Sequence, residues 1–120
     1  MNYNNSSMLL QLSSTSLGAD MNSGAIRIRE HVGFMIQMIW TGASVDGVFK
    51  LQVSADSSST PDSGSWEDLT APVTSLYTAA GAGKVAWNVN GIMASWVRVV
   101  FTRASGTGTI TSANFILKGY

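Results

Sequence analysis

The sequence contains no cysteine among its 120 residues. This excludes disulfide bonds, zinc sites built on thiolates and cysteine nucleophiles. A chain of this length fits one ordinary domain and buries roughly two thirds of the surface that its unfolded form would expose. We therefore expect the chain to fold without covalent cross-links.

Charge is also scarce in this sequence. Charged residues make up 12% of the chain, which is about half the usual share for a soluble domain. Seven basic residues balance seven acidic ones, so no excess positive field attracts phosphate backbones or anionic membranes. We expect neither nucleic acid nor membrane as a partner, and a surface this poor in charge favours association with other proteins.

Long apolar runs are missing as well. The longest apolar-rich stretch, 32–40, is interrupted by Gly33 and Gln37 and is far shorter than the roughly 20 residues of a membrane helix. Residues 1–7 have neither the basic start nor the apolar centre of a signal peptide. The sequence thus predicts a protein that begins in the cytoplasm and does not span a bilayer.

Histidine occurs once, at His31, so any catalytic triad or histidine-based metal cluster would have to include it. Its neighbours Arg29 and Glu30 would alternate between the two faces of a strand. The sequence has no Gly-x-Ser-x-Gly elbow and no serine three residues before a lysine. We predict no catalytic residue and no cofactor, and hence a protein that is not an enzyme.

Carboxylates cluster near one polar loop, where hard cations would find oxygen ligands. Asp56, Asp62, Glu67 and Asp68 are unevenly spaced and lack the Asp-x-Asp-x-Asp-Gly pattern of a calcium loop. We predict no metal site, with calcium at this loop as the alternative. Glycoside hydrolysis would require two of these groups about 5 or 6.5–9.5 Å apart in a cleft.

Period-two alternation begins at Ala25 and predicts the fold. In the clearest stretch, 34–41, one face carries Phe34, Ile36, Met38 and Trp40, and the other face is also rich in apolar residues, which is typical of a central or covered strand. Similar alternation recurs in 26–29, 49–53, 73–77, 85–89, 97–102 and 109–117. With turn signals roughly every ten residues and no helix of normal length, this predicts an all-β fold, an antiparallel β-sandwich or jelly roll of about eight short strands.

Glycines and polar runs predict the connections. Thr41–Gly42 and Asp46–Gly47 indicate that stretches 34–41 and 49–53 form a β-hairpin. Residues 55–65 and 78–83 are predicted loops, and 92–95 are predicted to form a single helical turn after the Asn90–Gly91 turn.

The first 24 residues are rich in Asn, Ser and Gly and are predicted to form an extended N-terminal arm, 1–24, ahead of a β-sandwich domain, 25–120. The arm has one apolar patch, made of Met8, Leu9, Leu10 and Leu12. The arm is too short to form its own hydrophobic core, so its apolar residues can be buried only against another part of the protein or another subunit. As an assembly arm, the patch would add a strand to the domain's own sheet or pair with a neighbouring subunit; the alternative is a frayed terminus.

Tryptophans are the best candidates for a binding surface, because a half-exposed tryptophan can stack on a sugar ring or anchor a protein contact. Trp40 and Trp87 alternate in phase with apolar neighbours and are predicted to lie in the core. Trp66 lies beside the polar loop, and Trp96 is in phase with Arg98. We therefore predict an interaction surface made of Trp66, Trp96 and Arg98, with burial in the core as the alternative for each tryptophan.

The chain also resembles the small β-sandwich structural proteins of tailed-phage virions, such as capsid decoration, head-fibre, neck or tail components. The resemblance covers about residues 25–117 and depends on the segments GFMIQ at 33–37, WTG at 40–42, DGVFKLQVS at 46–54, SWEDL at 65–69 and WVRV at 96–99. It implies a non-enzymatic virion subunit assembled in the host cytoplasm. Its implied partners are copies of itself, for example in a trimer, and other virion proteins.

The same order of strands and tryptophans is similar to discoidin-like and carbohydrate-binding sandwiches. That resemblance implies a module that binds glycans or surfaces. The sequence leaves both functions open.

Overall fold

The computed structural model describes residues 5–9, 15–28, 31–55, 64–70, 74–92 and 94–119. Within these ranges all regular structure is β, and no helix that could cross a membrane occurs there. The strands are β1 (Asn5–Leu9), β2 (Met21–Asn22), β3 (Ile26–Arg27), β4 (His31–Thr41), β5 (Asp46–Ser54), β6 (Glu67–Asp68), β7 (Tyr77–Ala80), β8 (Gly83–Asn90), β9 (Trp96–Ser105) and β10 (Thr109–Gly119).

The strands form two antiparallel sheets. The first sheet has the order β1-β10-β4-β8; the second has the order β2-β9-β5-β6, with β3 also paired to β9 and β7 to β5. One face of each sheet is buried, as alternation dictates: Phe34, Ile36, Met38 and Trp40 are at most 3% exposed. The prediction of an all-β antiparallel sandwich is confirmed, and β4 is a central strand because β10 and β8 flank it.

Aromatic rings connect the two sheets at the centre of the core. Trp40 of the first sheet packs on Phe49 of the second, with 4.7 Å between ring centroids, and Phe49 packs on Phe101 at 4.6 Å. The Trp40 indole Nε1 donates a hydrogen bond to the Gly81 carbonyl at 2.9 Å. Because Trp40 and Trp87 are both buried, their predicted place in the core is confirmed.

A buried serine joins three segments of the chain. The Ser75 hydroxyl accepts a hydrogen bond from the Leu51 amide at 3.0 Å and lies 2.9 Å from the Leu69 carbonyl, to which it donates. The Ser75 carbonyl accepts a hydrogen bond from Trp87 Nε1 at 2.8 Å. Ser75 is 1% exposed, and these bonds satisfy polar groups whose burial would otherwise destabilise the fold.

The N-terminal segment runs along both sheets. β1 pairs with β10, placing Met8 opposite Phe115 and Leu9 opposite Asn114, so this part of the arm adds a strand to the domain's own sheet. Leu10 and Leu12 lie outside the described residues. Further along the segment, Leu17 (0% exposed) and Met21 (7%) are part of the core.

The predicted hairpin between stretches 34–41 and 49–53 is wrong. β4 and β5 belong to opposite sheets, and the connection between them crosses from one sheet to the other. Gly42 makes the turn with φ +123°, and Val45 is buried in the core. Gly47 is a strand residue whose missing side chain makes room for the Phe101 ring. The same alternation and glycine signals fit a hairpin and a crossover between sheets, since both need two strands and a bend.

Two shorter predictions also change. The predicted loop 78–83 is part of a strand-turn-strand unit, with β7 ending at Ala80, a turn at Gly81 (φ +79°) and β8 starting at Gly83. The described residues between β8 and β9 form no helical turn. Gly91 has φ +73°, which confirms the turn at that position.

Candidate functional site

The candidate site lies on the outer face of the second sheet. Alternation along β5 buries Phe49 and Leu51 and points Lys50 and Gln52 outward. Gln52 lies opposite Arg98 of β9 on one side and opposite Asp68 of β6 on the other. We call this the Trp66–Arg98 surface; its members are Lys50, Gln52, Trp66, Asp68, Trp96 and Arg98.

Hydrogen bonds run across the three strands of this surface. Arg98 donates to Gln52 Oε1 from Nε at 2.9 Å and from Nη2 at 2.7 Å. Gln52 Nε2 donates to Asp68 Oδ1 at 3.0 Å. The amide orientation of Gln52 is the one that its neighbours require, because its oxygen faces a cation and its NH₂ group faces an anion.

Trp66 covers the guanidinium of Arg98. The Arg98 Cζ atom lies 4.1 Å from the centroid of the Trp66 ring, which is the geometry of a cation–π interaction. With Gln52 binding two of its nitrogens and Trp66 covering its plane, Arg98 is fixed in one orientation. The surface is therefore preorganised.

Trp96 lies on the same face of β9, two residues before Arg98, and is half-buried like Trp66. Its neighbours in register are Ser54 of β5 and Arg27 of β3. Ser54 is only 4% exposed, although its position in the alternation matches that of Gln52. Trp96 thus lies on the same outer face of β9 as Arg98, which Trp66 covers.

Asp68 keeps its charge on this surface. Hydrogen bonds from the Gln52 amide and the Lys50 ammonium hold the pKa of the Asp68 carboxyl below its ordinary value of 3.8. Lys50 Nζ lies 3.1 Å from the Asp68 carboxylate. A lowered pKa means that the carboxylate stays ionised at neutral pH and remains an acceptor.

Of the three residues that the sequence singled out, the structure brings Trp66 into contact with Arg98 and places Trp96 on the same strand as Arg98, two residues earlier. Gln52, which connects Arg98 to Asp68, was not predicted. The only sequence feature that could have indicated a role for Gln52 is its outward-facing position in the strand. Gln52 can bond to both Arg98 and Asp68 because β5 lies between β9 and β6.

The other candidates form no chemical centre in the described part of the chain. Glu67 and Asp68 make up β6, while Asp56 and Asp62 lie outside the described residues. His31 begins β4. The described residues include no group of three or more His, Asp or Glu side chains that could hold a metal ion.

The fold and this surface define a β-sandwich with a polar and aromatic outer face. No protein-family model and no curated protein matches the sequence. Among solved structures, the chain is similar to the SPBc2 prophage-derived protein YomS (TM-score 0.54, 8% identity), covering 99% of this chain and 96% of that one.

It is also similar to PirA (TM-score 0.51, 11% identity), covering 97% of this chain and 92% of PirA. A third similar structure is the C-terminal CBM6 of LamC, a marine laminarinase from Zobellia galactanivorans. That match has a TM-score of 0.50 and 12% identity and covers 95% of this chain and 99% of the other. At these identities the similarities show the fold alone.

Proposed function

We propose that the protein is a non-enzymatic structural subunit of a phage particle, such as a capsid decoration or another oligomeric component, located in the virion. The observation on which this proposal rests is the Trp66–Arg98 surface. Tryptophan and arginine are the side chains that most often dominate the binding energy of protein interfaces. Here both are held in place before any partner binds, which reduces the entropy cost of association.

Two further observations support this proposal. The likeness to the prophage-derived protein runs along nearly the whole of both chains, so a single sandwich of this size accounts for each. The low share of charged residues, 12%, reduces repulsion between copies. Together they favour a subunit that works by contact with its neighbours.

The first test is the solution mass of the protein, measured by size exclusion with light scattering at several concentrations. We expect a defined oligomer. Arg98→Ala removes the guanidinium and leaves the Gln52 oxygen without its donor, so we expect the dissociation constant to rise about tenfold or more. Arg103→Ala, which removes the same charge from an exposed position on the same strand, is the matched control and should have little effect. A parent protein that is monomeric at every concentration would overturn the proposal.

Glycan binding is the second candidate function. It is favoured by two tryptophans beside fixed donors and acceptors on one face, an arrangement that suits a sugar ring with its apolar face and its hydroxyls. The carbohydrate-binding module among the similar structures supports it.

A glycan array tests this alternative directly. If the protein binds a glycan, Trp66→Ala and Trp96→Ala should each lower the affinity about tenfold or more, because each removes a stacking surface. Both variants should keep the circular dichroism spectrum of the parent. Absence of binding by the parent protein would eliminate this candidate and leave the structural role.

A further inference from the structure

β8 is an edge strand of the first sheet. Among the residues that the structure describes, β8 pairs with β4 alone, and β1, which pairs with β10 alone, is the edge strand on the opposite side of the sheet. The eight residues of β8 pair with β4 without a register shift and contain no proline. Lys84 is their only charged residue. Edge strands of monomeric proteins are usually protected by short length, bulges, proline or several charges.

Apolar side chains are exposed beside this edge strand. Leu76 is 60% exposed and Tyr77 is 36% exposed. The residue before them, Ser75, accepts a hydrogen bond from the Trp87 indole of β8, and the Tyr77 ring contacts Trp40 at 5.8 Å. The free edge of β8 is therefore adjacent to apolar surface, which a partner strand would cover together with the backbone groups.

We propose that the partner is the β8 strand of a second copy, paired antiparallel about a two-fold axis so that the two first sheets form one continuous eight-stranded sheet. This inference depends on the proposed function, because it adds a second contact between copies to the one made by the Trp66–Arg98 surface. An open edge is self-complementary under such an axis, since each strand offers the donors and acceptors that the other lacks.

The pleat restricts the register of this pairing. The outer faces of the two sheets join only when each even-numbered residue of β8 lies opposite an even-numbered residue of the other copy, because side chains alternate between the two faces. The two central registers place Ala86 opposite either Ala86 or Asn88 of the other copy. In both registers Lys84 faces an asparagine, so no two like charges meet. The charge pattern of β8 is thus compatible with pairing to itself.

Ala86→Glu tests the pairing, because it would place two carboxylates opposite or diagonal to each other across the new ladder. Ala86 is exposed on the outer face, so the variant should stay folded. We expect the dissociation constant measured by light scattering to rise at least tenfold. An equimolar mixture of the Ala86→Glu and Ala86→Lys variants should restore association.

Asn114→Glu is the matched control. It places the same charge on the same outer face and in the same cross-strand row, two strands away from β8, because both Asn114 and Ala86 lie opposite Gln37. Its assembly should match that of the parent.

The outcomes separate the two proposals. An oligomer unchanged by Ala86→Glu, or a parent that is a trimer, would overturn the β8 pairing and leave the structural role intact. A parent that is monomeric at every concentration would overturn both.

Discussion

Replacing Gly106 with alanine is expected to lower the free energy of unfolding by about 3 kcal/mol and the melting temperature by roughly 10 °C. Gly106 has φ +78°, and an added Cβ atom would overlap the Ser44 carbonyl oxygen. The left-handed conformation costs about 1 kcal/mol for alanine. The clash accounts for most of the expected loss of stability, because the Ser44 carbonyl oxygen belongs to the backbone and no rotamer change can move it.

Relief of that clash would break the contact between two connections of the sandwich. The Ser44 hydroxyl accepts a hydrogen bond from the Thr107 amide at 3.1 Å, and Arg103 Nε donates to the Gly106 carbonyl at 2.8 Å. Either backbone segment can move away only by lengthening these bonds. The loop after β4 and the loop after β9 would then separate.

Gly91→Ala is the control for Gly106→Ala. Gly91 has a similar φ, +73°, but no atom lies within 4 Å of the position that its Cβ would take. This variant should cost only about 1 kcal/mol, the conformational part alone. Urea denaturation followed by tryptophan fluorescence measures both variants. If both variants lowered the free energy of unfolding equally, the clash with Ser44 would not contribute to the destabilisation by Gly106→Ala.

Periodicity predicted the buried faces because burial in a sandwich depends only on which residues alternate. Trp40 and Trp87 are in the core for this reason. Periodicity does not indicate which strands pair. The sequence therefore predicted a hairpin of β4 and β5, although these strands lie in opposite sheets. Pairing depends on contacts far apart in the chain, such as β4 with β10, and one sequence contains no local signal for them.

The candidate site shows the same limit. Trp66 and Arg98 stand out in the sequence by residue type, since half-exposed tryptophan and arginine are typical of binding surfaces. The contact between Trp66 and Arg98 could not be predicted in the same way, because the two residues are 32 positions apart and come together only through the β9-β5-β6 strand order. Gln52 acquires its part in the network from that order and not from its neighbours in the chain.

The two proposed contact regions lie on different sheets. β8 is an edge strand of the first sheet, whereas the Trp66–Arg98 surface lies on the outer face of the second. Pairing through β8 would therefore leave the Trp66–Arg98 surface available for a further copy, a particle protein or a glycan. A subunit with two separate contact regions can form an extended assembly.

The second large effect is expected for Phe49→Ala, which should lower the free energy of unfolding by about 3–5 kcal/mol. Phe49 is fully buried and its ring lies between Trp40 and Phe101. Deleting the ring removes its contacts with both sheets at once and leaves a cavity between two large side chains that cannot collapse without moving the sheets toward each other.

Phe49→Leu separates the loss of hydrophobic volume from the loss of the ring. Leucine keeps most of the buried volume, so this variant should cost about 1 kcal/mol. Urea denaturation of both variants gives the comparison, with the unfolding slope checked against that of the parent. If Phe49→Ala cost no more than Phe49→Leu, loss of the ring alone would account for the destabilisation, and the predicted contribution of the cavity would be wrong.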